Sequence, residues 1–232
     1  MTITTPLSIL LAGATGLVGQ GVLQACVDSP HVGRVVSLVR RRGSTPGLDG
    51  NTAHRPAVAE CVLGDFADAQ SHTAAFAGLD ACLYCVGAPP LGTPEAEYHR
   101  VTVELTLAVA RAYAQANPHG RFLYVSGAHA DAHSRVMPLR IKGEVEQALQ
   151  QLPLRTVMLR PGGVRPVAGT QSGHAWMKPF YTLGRPLMGL TEQLLPSLVV
   201  SNLAIGRAML ALARSANAPA IVECADIHHW AR

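Results

Sequence analysis

The chain has 232 residues, about the length of one α/β domain, and its composition of 48% hydrophobic and 15% charged residues excludes a disordered chain. Its net charge is +4 and its isoelectric point is about 9.0, but we expect no nucleic-acid partner, because Lys and Arg form a single true cluster, Arg40–Arg42. No apolar stretch approaches the roughly 18 residues of a membrane span, so no membrane partner is expected either.

Short apolar runs alternate with helical patterns through the first two thirds of the chain. Six runs have the length and β-branched content of strands, namely Ser8–Ala12, Val35–Val39, Val58–Leu63, Ala81–Val86, Phe122–Ser126 and Thr156–Leu159. Helices are predicted after Gly16, over Glu97–Ala116 and from about Arg140. This alternation predicts an α/β fold of the Rossmann type, a doubly wound parallel sheet with helices on both faces.

The last third of the chain has a different character. Residues 163–200 are rich in Pro, Gly and aromatic residues, and we interpret them as a small elaboration over the strand ends on the substrate side. Asn202 is predicted to cap a helix over Leu203–Arg214, and Ala220–Cys224 is predicted to be a final strand. We therefore expect a single domain over residues 1–232.

The five cysteines, at positions 26, 61, 82, 85 and 224, are odd in number and scattered. They predict small core residues in a reducing compartment, and the cytoplasm is the expected location. Cys82 and Cys85 form a Cys-x-x-Cys pattern, but it falls in a predicted strand, where residues three apart face opposite sides of a sheet. The pattern predicts neither a disulfide nor a metal site.

The most specific motif is GATGLVG, a GxxGxxG spacing directly after the first predicted strand and directly before a helical pattern. Its glycines allow a tight turn and a close approach of backbone to a pyrophosphate, and the helix N-terminus supplies N–H groups and a favourable dipole. A side chain at Gly13 or Gly16 is expected to block the pyrophosphate and leave the fold largely intact. The motif predicts a dinucleotide site formed by Gly13, Thr15, Gly16, Leu17, Val18 and Gly19.

The second predicted strand ends in Arg40, Arg41 and Arg42. A site for NAD(H) has an Asp or Glu at this point, and that acid would repel a 2′-phosphate, whereas arginine binds a phosphate with paired hydrogen bonds. Arg40 and Arg41 therefore predict NADP(H) as the cofactor. The alternative is a solvated basic loop.

With these motifs the chain resembles the atypical short-chain dehydrogenase/reductase family, in the NAD(P)H-binding branch that includes NmrA-like proteins. The resemblance implies that Asp65 binds the adenine amino group with the Phe66 backbone beside it, although a turn-capping aspartate is the alternative. It also implies that three small residues after the fourth strand pass under the cofactor ribose: Val86, Gly87 and Ala88.

At the nicotinamide end the resemblance implies that Pro161 and Gly162 lie against the ring and that Lys142 holds its ribose. In the family this lysine closes a Tyr-x-x-x-Lys motif, but position 138 is proline, which has no proton to give. Ser126 stands where the family often has a catalytic or substrate-orienting hydroxyl. The alternatives are an exposed helical lysine and a plain serine at a strand end.

The loop after Ser126 carries His129 and His133, and either imidazole is a candidate proton donor in place of the tyrosine, because histidine titrates near neutral pH. With the Trp176–Tyr181 region they are expected to line the substrate pocket. Asp131 between them completes a His-Ala-Asp-Ala-His pattern. No further ligand is at hand in this loop, so we expect no metal.

These residues predict an NADPH-dependent oxidoreductase that moves hydride between NADPH and a small carbonyl or enone substrate. Retention of Lys142 favours this function. The absence of tyrosine at position 138 favours a second one, a non-catalytic NADPH-binding sensor or regulator. A hydrolase is not expected, since the sequence around Ser126 lacks the GxSxG elbow. A monomer and a homodimer both stay open.

Overall fold

The structure, a computed structural model, describes residues 5–46, 56–167 and 197–232. Within these residues the main sheet has seven strands in the order β3-β2-β1-β4-β5-β6-β9. Its strands are β1 (Leu7–Ala12), β2 (Val32–Val39), β3 (Ala57–Val62), β4 (Ala81–Tyr84), β5 (Arg121–Val125), β6 (Arg155–Arg160) and β9 (Ile221–Glu223). Every neighbouring pair is parallel, which confirms the predicted doubly wound sheet of the Rossmann type.

The described helices are α1 (Leu17–Asp28), α2 (Thr73–Phe76), α3 (Glu95–His99), α4 (Leu105–Ala116), α5 (Met137–Gln150), α6 (Asn202–Arg214) and α7 (Cys224–Trp230). A 3₁₀ helix over Phe66–His72 precedes α2, and a π-helical turn over Arg100–Glu104 joins α3 to α4. No helix in the described ranges is long and apolar enough to cross a membrane.

Each face of the sheet is covered by its own layer of helices. Ile9 and Leu11 of β1 are buried against α1 and α6, whereas Leu10 and Ala12 are buried against the 3₁₀ helix, α4 and α5. A parallel strand covered on both sides has no solvent face, so it reads as a continuous apolar run. This is why the short apolar runs predicted the strands.

Cys82 and Cys85 follow the same alternation, as predicted. Cys82 packs in the layer with α4 and α5, and Cys85 packs against the layer with α1 and α6. All five cysteines are free thiols, and burial raises the pKa of Cys26 to about 12. Because a buried thiol at this pKa stays protonated at neutral pH, Cys26 acts as a small core residue.

Several predicted boundaries differ from the structure. The helix predicted from about Arg140 begins at Met137, because Pro138 in the first turn lacks only an N–H that has no helical partner there. Ser201 rather than Asn202 caps α6, since its hydroxyl accepts from the Ala204 backbone N–H. The predicted final strand also ends early, because Cys224 begins α7.

A second, two-stranded parallel sheet pairs β7 (Gly163–Arg165) with β8 (Val199–Ser201). These strands follow β6 and precede α6, so they bound the elaboration predicted over residues 163–200. The Trp176–Tyr181 region, predicted to line the substrate pocket, lies outside the described residues.

Candidate functional site

The glycine-rich turn lies where the strand order reverses, because β1 pairs with β2 on one side and with β4 on the other. In open α/β sheets, ligands bind in the crevice outside the strand ends at such a point. Gly13 has a φ of 87°, and a Cβ there would lie 2.7 Å from the backbone carbonyl carbon of Cys85. A Cβ at Gly19 would overlap the carbonyl oxygen of Gly13. Only glycine allows these backbones to approach so closely.

Gly16 behaves differently from its two neighbours in the motif. It is the N-cap of α1 with a φ of −79°, and a Cβ there would meet Gly13 O at 3.4 Å, an ordinary contact. No side chain in the described ranges caps this helix, so its first N–H groups are available to an anion. The expectation that a side chain leaves the fold intact therefore fits Gly16 and is wrong for Gly13.

The basic loop after β2 is held by a carboxylate of the edge strand. Arg40 and Arg41 directly follow Val39 and are exposed. Glu60 of β3 accepts hydrogen bonds from the backbone N–H groups of Gly43 (2.7 Å) and Thr45 (2.8 Å), and the bonds from Thr45 and Gly43 lower its pKa. Sequence patterns did not single out Glu60, because a strand carboxylate bound to loop backbone has no motif.

Asp65 follows β3 and has both carboxylate oxygens engaged. Oδ1 accepts from the Ala67 backbone N–H at 3.0 Å, and Oδ2 pairs with Nη2 of Arg100 at 2.6 Å. The Ala67 bond, followed by Arg100, lowers the pKa of Asp65. The structure therefore shows the turn-capping alternative, and binding of adenine by Asp65 stays a prediction. Phe66, the next residue, is buried.

The segment after β4 meets the glycine turn. Cys85 N donates to the carbonyl oxygen of Ala12 at 2.9 Å, which continues the β1 and β4 pairing up to the turn. Val86 and Ala88 pack partly on the layer with α4, whereas Gly87 is exposed with open space where a Cβ would stand. This arrangement leaves room beside Gly87 for the ribose that the family resemblance implies.

Lys142 and Ser126 meet at the carboxyl end of β5. Lys142 Nζ donates to the carbonyl oxygens of Ser126 (2.8 Å) and Val125 (3.2 Å) and lies 5.3 Å from the ring centre of Tyr124. Burial lowers the pKa of Lys142 to about 8, against the opposing charge of Glu146. Lys142 is therefore not an exposed helical lysine. The buried Ser126 hydroxyl has no hydrogen-bond partner among the described residues.

Pro138 stands one helical turn before Lys142 in α5. Residues four apart in a helix lie on the same side, so a tyrosine at 138 would be beside the lysine. The structure thus places the gap in the family motif directly at this end of the site. Gly143, the next residue after Lys142, lets the loop following β5 rest on the helix, because a Cβ there would overlap the Ala132 backbone nitrogen.

The two candidate histidines lie in that loop, and both are exposed. Ala128 N donates to the carbonyl oxygen of Pro161 at 2.9 Å, which joins the loop to the end of β6. His129 has a φ of 60°, a left-handed conformation in which histidine is enriched among non-glycine residues. Asp131 accepts from the His133 backbone N–H at 2.9 Å. No metal-binding cluster of His, Cys, Asp or Glu occurs within the described ranges.

A buried ion pair fixes α5 against β6 beside this end of the site. Arg160 donates to Glu146 through Nη2 (2.6 Å) and Nε (3.1 Å), and to Glu223 through Nη1 (3.1 Å). Glu146 is almost fully buried and lies one turn after Lys142, whereas Arg160 directly precedes Pro161. The pair therefore positions both residues. Glu146 was not predicted, although its spacing from Lys142 was visible in the IKGEVE segment.

The sheet order and the glycine turn together define a nucleotide-binding protein of the Rossmann type. The family model described as NAD(P)H-binding matches residues 13–176. The chain belongs to this NAD(P)H-binding family, and the resemblance to atypical short-chain dehydrogenases/reductases is confirmed.

The chain is similar to proteins named FMP52, mitochondrial. The protein from Coccidioides immitis is 27% identical over 161 residues, 66% of this chain and 63% of the relative. The protein from Aspergillus fumigatus is 30% identical over 156 residues, 67% of this chain and 65% of the relative. The match thus spans less than two thirds of these relatives. Their mitochondrial names contradict the expected cytoplasmic location, which is wrong because unpaired cysteines report on redox conditions and not on a particular compartment.

Solved structures share the fold. MoeE5 in complex with UDP-glucose and NAD has a TM-score of 0.64 and 17% identity, over 93% of this chain and 75% of that chain. The Bordetella bronchiseptica enzyme WbmF in complex with NAD⁺ has a TM-score of 0.65 and 13% identity, over 97% and 77%. A thiolation-reductase di-domain from an archaeal non-ribosomal peptide synthetase has a TM-score of 0.64 and 14% identity, over 96% and 72%. At these identities the likeness shows the fold alone.

Proposed function

We propose that the protein binds NADP(H) and moves hydride between the nicotinamide and a small carbonyl or enone substrate. The observation that carries this proposal is the glycine turn at the sheet reversal. Gly13 and Gly19 bring three backbone segments together there, and no side chain of the described residues caps the N-terminus of α1. Such a turn provides N–H groups and space for a pyrophosphate.

The basic end of β2 supports NADP(H) over NAD(H). Arg40 and Arg41 occupy the position of the ribose-binding acid, both are exposed, and the loop that follows them is held by Glu60. A guanidinium binds a phosphate with two parallel hydrogen bonds and stays charged at all relevant pH values. A 2′-phosphate would therefore find two exposed arginines directly after β2, where an NAD(H) site has an acid.

At the nicotinamide end of the site, we assign a separate role in the reduction to each of several residues. A bound nicotinamide supplies or accepts the hydride. Lys142 is held at the end of β5, where its remaining N–H would donate to the ribose hydroxyls, and the Ser126 hydroxyl, which has no partner among the described residues, would orient the substrate oxygen. His129 or His133, exposed in the loop beside Pro161, would donate the proton to that oxygen.

Pro138 favours a second candidate function, a sensor or regulator that binds NADPH without turnover. The residue at 138 cannot donate a proton, and it lies on the same helix side as Lys142. In that case occupancy of the dinucleotide site, and not chemistry, would be the output. Both candidates share the binding site and differ in whether NADPH is consumed.

Substitution of Arg40 and Arg41 by Ala tests the cofactor preference. Loss of charge-assisted bonds to the 2′-phosphate is expected to weaken NADPH binding by about 1 to 3 kcal/mol and to leave NADH binding nearly unchanged. Arg34→Ala is the matched control, because Arg34 is an exposed arginine of the same strand, about 20 Å before Arg40 at the strand rise per residue. Equal loss for both nucleotides would show that Arg40 and Arg41 do not contact the phosphate.

A turnover screen separates the two candidate functions. The wild-type chain is mixed with NADPH and a panel of carbonyl compounds, enones, quinones and flavins, and consumption is followed at the nicotinamide absorbance. Gly16→Val is the control, since a Cβ at Gly16 makes only an ordinary contact and the valine side chain is expected to block the pyrophosphate. We expect consumption by the wild type only. Binding of NADPH without consumption would favour the sensor or regulator over the oxidoreductase.

A further inference from the structure

Arg100 lies at the adenosine end of the candidate site, although no sequence motif singled it out. β2 and β3 are in register up to Val39 and Val62, and Leu63 N donates to Val39 O at 2.8 Å. Arg40 therefore begins the loop after β2 directly beside the start of the loop after β3. Asp65 lies two residues further along that second loop and binds Arg100. Two arginines from distant parts of the chain thus lie near Asp65, at the carboxyl ends of β2 and β3.

Asp65 interacts with the charges of both arginines. Its Oδ2 is 2.6 Å from Arg100 Nη2, and Arg40 is close enough that its charge also lowers the pKa of Asp65. One carboxylate and two guanidinium groups together carry a net positive charge. The carboxylate also offsets the repulsion that the two arginines would otherwise exert on each other in the absence of an anion.

The helix geometry brings Arg100 to this place. Arg100 is the first residue of the π-helical turn between α3 and α4. Such turns are rare in proteins, and those that occur are often at functional sites. In the described part of the chain, Asp65 is the single side-chain partner of Arg100, and it uses one of the guanidinium's five donors. The side chain is 42% exposed, so the other donors are accessible to a ligand.

We propose that Arg100 is a specificity-determining residue that binds the 2′-phosphate of NADP(H) together with Arg40, and that Asp65 holds Arg100 in position for this contact. The inference rests on the proposed function and extends it from the strand end to a clamp of two arginines. It also gives Asp65 a role that differs from adenine binding. Arg100 contacts the ligand, and Asp65 acts through Arg100.

The test measures dissociation constants of Arg100→Ala for NADPH, NADH and adenosine 2′-monophosphate by calorimetry, with the melting temperature as a check of folding. We expect roughly ten- to a hundredfold weaker binding of NADPH, the range for lost charge-assisted bonds, and less than about a twofold change for NADH. Binding of adenosine 2′-monophosphate should weaken in parallel with binding of NADPH. Arg34→Ala, which removes the same charge away from the site, should leave all three constants unchanged.

Two further variants, Arg100→Lys and Asp65→Ala, test the same contact if Arg100→Ala folds poorly. Arg100→Lys retains the charge without the paired geometry and should weaken NADPH by an intermediate factor. Asp65→Ala should weaken NADPH more than NADH if the carboxylate positions Arg100. If Asp65 instead binds adenine, Asp65→Ala should weaken the binding of both nucleotides equally, because they share that base.

The outcomes separate this inference from the proposed function. If Arg40→Ala weakens NADPH selectively but Arg100→Ala weakens both nucleotides equally or neither, the clamp is wrong and the NADP(H) preference stands. If the wild type binds NADH as tightly as NADPH, the preference itself fails, and the role of Arg100 is overturned with it.

Discussion

The two ends of the candidate site differ in whether backbone or side chains define them. The dinucleotide end is defined by backbone, because Gly13 and Gly19 stand where a Cβ would meet the main chain of neighbouring segments. The nicotinamide end is defined by side chains, and there Lys142 is retained while proline occupies position 138. A backbone approach tolerates glycine alone, whereas a proton donor can be replaced by another titratable group. Binding and proton transfer are therefore separable in this fold.

The largest expected effect comes from the proton donor at the nicotinamide end. If the protein is an enzyme, His→Asn at the donor, His129 or His133, should lower turnover by about 10² to 10⁴ without weakening NADPH binding. Steady-state rates and a separate binding titration measure the two effects.

The histidine that is not the donor serves as the matched control for the other, since both are exposed in the same loop. If neither substitution changes turnover, the proton comes from another group and the assignment is wrong. Loss of NADPH binding in either variant would place these residues at the dinucleotide end instead.

A pair of glycine variants sharpens the comparison at the dinucleotide end. Gly19→Ala should destabilise the fold by about 1 to 3 kcal/mol, the range for overpacking, because its Cβ would overlap the Gly13 carbonyl oxygen. Gly16→Val should retain most stability and weaken NADPH at least about a hundredfold, or about 2.7 kcal/mol. Urea unfolding and calorimetry measure both. Tight NADPH binding by a folded Gly16→Val would remove the site from this turn.

The pKa of Lys142 predicts a pH dependence of stability. Folding lowers this pKa from 10.5 to about 8, so between these values the unfolded chain binds more protons, and the free energy of unfolding rises with pH. The slope is at most about 1.4 kcal/mol per pH unit. Urea unfolding of wild type and Lys142→Met from pH 7 to 10 isolates this contribution, which is expected to favour the wild type increasingly above pH 8. A difference that stays constant with pH would contradict the burial of this ammonium.

Restoring the missing tyrosine has the smallest expected effect on stability. Pro138 lies in the first turn of α5, where an N–H has no helical partner, so Pro138→Tyr should change the free energy of unfolding by no more than about 0.5 kcal/mol. If the protein is a degenerate reductase, NADPH consumption should rise by about tenfold or more. Pro138→Phe is the control, because it adds the ring without the hydroxyl. Equal consumption by the two variants would show that no proton passes through position 138.

The sequence predicted the sheet well because parallel strands covered on both sides are continuous apolar runs, as in β1 and β4. It missed β7 and β8, which have three residues each and too little pattern to read. It also missed the π-helical turn, since residues 100–104 keep the apolar spacing of an ordinary helix. The cap of α6 was misplaced by one residue because Ser201 and Asn202 are both good N-caps.

The site was predictable where geometry requires one residue type and unpredictable where it depends on long-range pairing. Gly13 and Gly19 belong to a motif because no other residue fits. Arg100 and Asp65 are 35 positions apart, and no local sequence pattern predicts an ion pair between them. Glu146 and Arg160 are similarly joined through the fold, across β6 and α5.

Calorimetric titration of the wild-type chain with NADPH and with NADH tests the central claim most directly, because it measures binding without assuming any chemistry. The account predicts one NADPH site per chain, with NADH bound at least about tenfold more weakly, the difference expected for one lost charge-assisted contact. If neither nucleotide bound, the claim that the glycine turn is a dinucleotide site would be contradicted.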